Sequence, residues 1–233
     1  AVYAAMVETM DSAVGQVLQT LDDLGLSQNT IVVFTSDNGG LSTYHRAYSS
    51  SQWAPTSNSP YRAGKGWMYD GGIRVPLIYR WPGKIKAGSK TDAVSSSPDH
   101  FPTLMDLCGI QPPATELDGT SLKPALNGRK LRERAIYWHY PHYWSSSLTA
   151  SSAIREGDYK LIEWLEEGRV ELFNLRHDPY EREDLSASQP SRARTLLARL
   201  NAWKKSVGAQ PLLPNPAYDP ALPFASQVKA KQP

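Results

Sequence analysis

Thr30-Ile31-Val32-Val33-Phe34-Thr35-Ser36-Asp37-Asn38-Gly39-Gly40 is the stretch on which the fold turns. Its first half is short, apolar and β-branched, which predicts a strand buried on both faces. Its second half turns polar, with a carboxylate, a carboxamide and two glycines. In open α/β sheets, ligands bind just beyond the carboxyl ends of the strands. A strand delivering Asp37 and Asn38 there offers two hard oxygen ligands of the kind calcium or magnesium takes. The residues alone also permit a plain reading, because Asn-Gly is a common tight-turn pair.

Working outward, residues 2–24 place Val2, Met6, Met10, Ala13, Val17, Leu21 and Leu24 three or four apart, with Gly25 as a stop. That spacing predicts an amphipathic helix leading into the strand, half of a parallel α/β repeat. Residues 41–59 have no period and are expected to form a lid or specificity loop, with His45, Arg46 and Trp53 its most chemically able members. Four glycines then fall between Gly64 and Gly72, with Lys65 held between Gly64 and Gly66. Glycines let the backbone approach a ligand closely. The segment does not match the phosphate-binding loop, because Gly66 rather than Ser or Thr follows the lysine.

Residues 75–81 read as a second buried strand, 93–97 as a short strand, and 99–107 as a helix. Beyond Asn127-Gly128 the pattern changes. Residues 134–140, 152–156, 159–165 and 170–174 predict short strands, and Glu156-Gly157-Asp158 and Glu166-Glu167-Gly168 predict hairpin turns between them. Pro190 opens a helix with a Leu196, Leu197, Leu200 and Trp203 stripe. The expected organisation is an α/β domain over 1–127, a small antiparallel-sheet and helix module over 128–210, and a proline-rich tail over 211–233.

The bulk properties exclude several classes. A formal net charge of +2 is too small to argue for nucleic acid as partner. No apolar run reaches the roughly 20 residues of a membrane span. One cysteine, Cys108, excludes an internal disulfide framework; its place in an apolar helical stretch predicts a buried small hydrophobe rather than a nucleophile.

Taken in order, Tyr3-Ala4-Ala5-Met6-Val7-Glu8, Phe34-Thr35-Ser36-Asp37-Asn38-Gly39-Gly40, Arg62-Ala63-Gly64-Lys65-Gly66 with Tyr69-Asp70-Gly71-Gly72-Ile73-Arg74-Val75-Pro76, and Glu171-Leu172-Phe173-Asn174-Leu175 with Asp178-Pro179 and Glu181 form one ordered set. The set resembles the type I, formylglycine-dependent sulfatases, arylsulfatase-like members of the alkaline phosphatase-like superfamily. The resemblance implies an α/β alkaline phosphatase-like sandwich, of which this chain carries the C-terminal part, plus the small α+β module. It implies that Asp37 and Asn38 bind the active-site calcium, with magnesium as the alternative, and that Lys65 contacts the sulfate group and leaving oxygen. His139 and His142 fall where related sulfatases sometimes place substrate-contacting side chains.

The substrate implied is a sulfated carbohydrate or aryl sulfate, and the location periplasmic or secreted. The resemblance implies a Cys/Ser-x-Pro/Ala-x-Arg sequence, the source of the formylglycine nucleophile, in an N-terminal half that this sequence does not match, and Cys108, followed by Gly109-Ile110-Gln111, is not that residue. The expectation is therefore a C-terminal half, inactive alone, whose partner is the missing N-terminal half of the same protein. A phosphodiester or phosphonate monoester hydrolase, and a non-catalytic fragment or binding module, are the alternatives.

Overall fold

The computed structural model describes residues 2–42, 54–143, 150–216, 218, 219 and 221. His45, Arg46 and Trp53 lie outside them. By its contacts the chain divides into two units, Ala1–Thr35 with Pro76–Glu133, and Ser36–Val75 with Arg134–Pro233. Residues 36–75, expected with the domain that precedes position 127, thus group with the module that follows it.

In the first unit, α1 spans Val2–Asp23 and ends as its spacing predicts, with Gly25 in the left-handed region at φ 67°. No residue of α1 is buried, and its stripe is open: Met6 is 63% and Val17 59% exposed. β1 (Val32–Thr35) pairs with β2 (Leu77–Arg80) in an antiparallel two-stranded ribbon, Val32 opposite Arg80 and Thr35 opposite Leu77. This corrects two expectations. The pairing is antiparallel rather than the start of a parallel repeat, and β1 is half-buried along Val32, Val33 and Phe34 rather than buried on both faces.

Nor is there a strand at 93–97. Ser96 and Asp99 form a capping box over a short 3-10 turn, Ser97–Asp99, that opens α3 (His100–Cys108). The Asp99 carboxylate accepts from the Ser96 and Thr120 amides, both at 2.8 Å, and a capping carboxylate satisfies helix-start donors that a strand would have to pair elsewhere. Cys108 is exposed, so its expected burial is also corrected. α3 ends on Gly109, a left-handed cap at φ 67°, and a one-turn helix, α4 (Lys123–Leu126), follows.

The second unit carries the strongest agreement with the sequence pattern. β3 (Ala135–Tyr140), β4 (Ser151–Glu156), β5 (Tyr159–Trp164) and β6 (Arg169–Asn174) form an antiparallel meander in that order. α5 runs Pro190–Ser206, with Ala193, Leu196 and Leu200 buried. Strand alternation sorts the side chains between two layers. Ile154, Leu161 and Leu172 pack with α5, whereas Ala153, Ile162, Trp164 and Phe173 pack with Met68 and Tyr69 of the glycine-rich segment. The sheet is therefore covered on both faces, which is why Ala153, Ile154, Leu161 and Ile162 all reach zero exposure. The sequence predicts only the helical layer. The second layer is built by residues 63–73, and it is the one that carries the candidate site.

Candidate active-site cradle

Asp37 and Asn38 emerge directly after β1, and Asp37 is exposed. The Asn38 carboxamide donates its Nδ2 to the Gly39 carbonyl at 3.1 Å, which turns its oxygen away from that contact. Ser36 Oγ donates to the Asn38 carbonyl at 2.8 Å and fixes the bend. Two backbone bonds then tie this bend to the glycine-rich segment. Gly39 N–H donates to Gly72 at 2.9 Å, and Lys65 N–H donates to Gly40 at 3.1 Å. Asp37, Asn38 and Lys65 are thus brought onto one backbone cradle by bonds immediately beside each of them.

Glycine is what lets the strands of this cradle touch. A Cβ on Gly39 would lie 1.8 Å from the Gly71 carbonyl oxygen, and one on Gly72 2.2 Å from that of Trp67. Both neighbours are backbone and have nowhere to move, so any side chain must push the segments apart. The glycines condense the chain here into a one-turn helix, α2 (Asp70–Ile73), that the sequence reading did not predict.

Asn58 is a second feature missed. Its Oδ1 accepts Gly40 N–H at 3.0 Å, while its Nδ2 reaches Gly40 O at 2.7 Å, Ser42 Oγ at 3.0 Å and Ala63 O at 3.1 Å. One carboxamide thereby mimics a strand partner and staples residues 40, 42 and 63 together. No local signal marks it, since its partners lie up to 18 residues away.

Beneath the cradle, Tyr69 is buried and donates to Glu171 Oε2 at 2.5 Å, with the Arg62 guanidinium 3.9 Å above its ring. Burial, then the Glu171 hydrogen bond, pushes the Tyr69 phenol well above its usual range and holds it as a neutral donor. Tyr69→Phe should lower stability by about 1 kcal/mol, below the 1.5–3 kcal/mol typical of bonds to charged groups because Glu171 keeps Arg169 as a partner. A urea midpoint unchanged from the parent would contradict this.

The donor chemistry fits a hard cation in part. Asp37 and the Asn38 carbonyl oxygen are two oxygen ligands, and the Asp37 carboxylate makes no hydrogen bond or ion pair among the described residues. Calcium takes six to eight such ligands, so the pair is a fraction of a site. No group of three or more His, Cys, Asp or Glu that could hold a metal occurs among the described residues.

The histidines stand differently. His139 engages both ring nitrogens, with Ser152 Oγ at 2.8 Å and the Gln210 carbonyl at 2.7 Å, which leaves neither for a ligand. His142 is exposed and packs edge-on against Tyr140 at 5.1 Å.

Comparison with known proteins agrees along most of the chain. Residues 1–110 match the family model described as sulfatase, and residues 63–205 match that of the C-terminal part of N-sulphoglucosamine sulphohydrolase. A sulfatase of Formosa agariphila is 36% identical over 226 residues, which covers 86% of this chain and 39% of the relative. The N-acetylgalactosamine-6-sulfatase of Canis lupus familiaris is 37% identical over 163 residues, 70% of this chain and 29% of that protein. A structure of BT4656 in complex with its substrate D-glucosamine-2-N, 6-O-disulfate superposes with a TM-score of 0.69 at 30% identity, covering 90% of this chain and 41% of the other. The chain thus spans about two fifths or less of the length of these relatives.

Proposed function

Because the chain belongs to the sulfatase family and carries part of its alkaline phosphatase-like α/β fold, we propose that it supplies the Asp37–Asn38 and Lys65 portion of a sulfuric ester hydrolase acting on a sulfated carbohydrate. The observation that carries this reading is the pair of backbone bonds, Gly39 to Gly72 and Lys65 to Gly40, that hold the two segments as one cradle. Asp37 Oδ and Asn38 Oδ1 would hold calcium, or magnesium as the alternative. Such a cation, when bound, polarises the sulfate oxygens. Lys65, half-buried and anchored through its own amide, brings an ammonium to the bridging oxygen and offsets the charge that develops there as the ester bond breaks. The flanking glycines remove side-chain bulk between that ammonium and the ester.

Residues 1–127 are assigned in sequence to the catalytic α/β domain, 128–210 to its small subdomain, with which 36–75 pack, and 211–233 to a tail. The nucleophile is assigned to sequence outside this chain: Cys108 is followed by Gly109-Ile110-Gln111, and the two serine matches to the formylglycine pattern, Ser151-Ser152-Ala153-Ile154-Arg155 on β4 and Ser188-Gln189-Pro190-Ser191-Arg192 at the start of α5, belong to the small subdomain rather than to the catalytic α/β domain. Substrate contact is kept for His142; His139, with both nitrogens engaged, positions β3 against Gln210. Carbohydrate sulfate is favoured over aryl sulfate by the amino-sugar sulfatases among the relatives. A periplasmic or secreted location is proposed with it. No helix among the described residues is long and apolar enough to cross a membrane.

The test is sulfate release by this chain joined to its upstream sequence, with a 6-O-sulfated hexosamine, an aryl sulfate and a matched phosphate ester. The expected order is hexosamine sulfate first and phosphate ester last, with no release by residues 1–233 alone. Faster phosphate release would move the protein to the phosphoester hydrolases of the superfamily.

A further inference from the structure

Lys160 sits on β5 with its side chain wholly buried, and strand alternation directs it to the cradle side of the sheet with Ile162 and Trp164. Its ammonium lies 2.9 Å from Asp70 Oδ1 and 2.7 Å from Glu181 Oε1, and neither carboxylate is more than 4% exposed. Glu181 Oε2 accepts the Asp70 amide at 2.6 Å, and the Glu181 carbonyl accepts from Arg62 at 3.0 Å. The two ends of the segment bearing Lys65 are therefore fastened to one residue 111 and 119 positions further along the chain.

The cluster is expensive to keep. Arg155 and Lys160 are register partners on the same face, so two cations lie side by side, offset by two carboxylates. Arg155 Nε is buried without a hydrogen bond among the described residues, and Asp70 Oδ2, which also accepts none, faces the Arg74 guanidinium at 3.6 Å. Glu181 also holds a left-handed backbone at φ 56°, a strained setting for a non-glycine residue. Burial pushes the Glu181 carboxyl upward, against the pull of Lys160. Buried ion clusters of this kind seldom add net stability over well-packed apolar residues. Their directed bonds do fix geometry.

We propose that Lys160, Asp70 and Glu181 are positioning residues, which set the placement of Lys65 relative to Asp37 and Asn38. The link is short and continuous. Asp70 opens α2, whose Gly72 carbonyl receives the Gly39 amide, and the Gly71 amide returns to the Arg62 carbonyl at 3.0 Å. Moving Asp70 therefore moves both halves of the cradle. The inference rests on the reading of Lys65 and Asp37–Asn38 as one site, but its test does not.

Hydrogen–deuterium exchange on the full chain provides that test. In Lys160→Met, which keeps the aliphatic stem and removes the charge, the Gly39, Lys65, Trp67 and Gly71 amides should exchange at least tenfold faster. Amides of α5 should stay within twofold of the parent. Uniform acceleration would mean a merely structural part, and unchanged cradle exchange would remove the role altogether; either result overturns the proposal. Should Lys160→Met not fold, Glu181→Gln, which keeps shape and one acceptor oxygen, carries the same comparison with the same two overturning outcomes. Lys65→Ala should leave the exchange pattern unaltered, so a failure of the sulfatase reading would be seen separately, as turnover insensitive to Lys65.

Discussion

Gly39→Ala should destabilise the second unit by about 3 kcal/mol or more, at the upper end of what overpacking costs. The added methyl would stand 1.8 Å from the Gly71 carbonyl oxygen and 3.0 Å from the Gly72 Cα. Relief requires the bend to leave α2, which breaks the Gly39–Gly72 bond. The damage therefore falls on packing and on the bond that registers Asn38 against Lys65. Gly15→Ala is the natural control: nothing lies within 4 Å of its Cβ, it sits inside α1, and alanine should there stabilise by about 0.5–1 kcal/mol. Denaturant midpoints of the two variants should move in opposite directions. A Gly39→Ala midpoint at the parent value would show that the cradle is not closed as described.

Lys65→Ala should have the contrary profile, with stability kept and chemistry lost. Its side chain is half-buried and makes no hydrogen bond or ion pair among the described residues, so stability should stay within about 0.5 kcal/mol. In the enzyme carrying the remainder of the catalytic domain, kcat on a sulfate ester should fall about 10²–10³-fold, the range typical of removing one preorganised group that stabilises transition-state charge. KM should change little, because the charge Lys65 meets develops only as the ester oxygen leaves. Lys65→Arg should recover only part of the rate, since a planar fork does not place a point charge where the ammonium stood. A proportional rise in KM with kcat unchanged would reassign Lys65 to ground-state binding.

The two variants mark out what the sequence could show. The β3–β6 meander and α5 were legible because short apolar runs alternate with turn residues, because the leucines of α5 recur at three to four, and because Gly157 and Gly168 take the positive φ their turns require. Residues 93–97 misled, since the apolar pair Ala93-Val94 is a weak signal beside the Ser96 and Asp99 capping pair, which was there to be read. β1 looked like a strand buried on both faces because its composition is apolar, but composition does not say how many neighbours a strand has. Asp37, Asn38 and Lys65 stood out through the ordered motifs around them. Asn58 and Lys160 did not, and Glu181 stood among those motifs without a part of its own, because their partners lie 18, 90 and 111 residues away and no periodicity reports contacts at that range.

Every hydrogen-bonded pair in the meander joins strands that are also adjacent in sequence, whereas Asp70 and Lys160 are separated by 90 residues. The entropy lost on closing a loop grows with its length, so short hairpins come together ahead of distant partners. Connectivity therefore favours an order of assembly in which local contacts lay down the sheet and the cradle docks on it afterwards. The candidate site is thus shaped by a surface that local contacts can make without it.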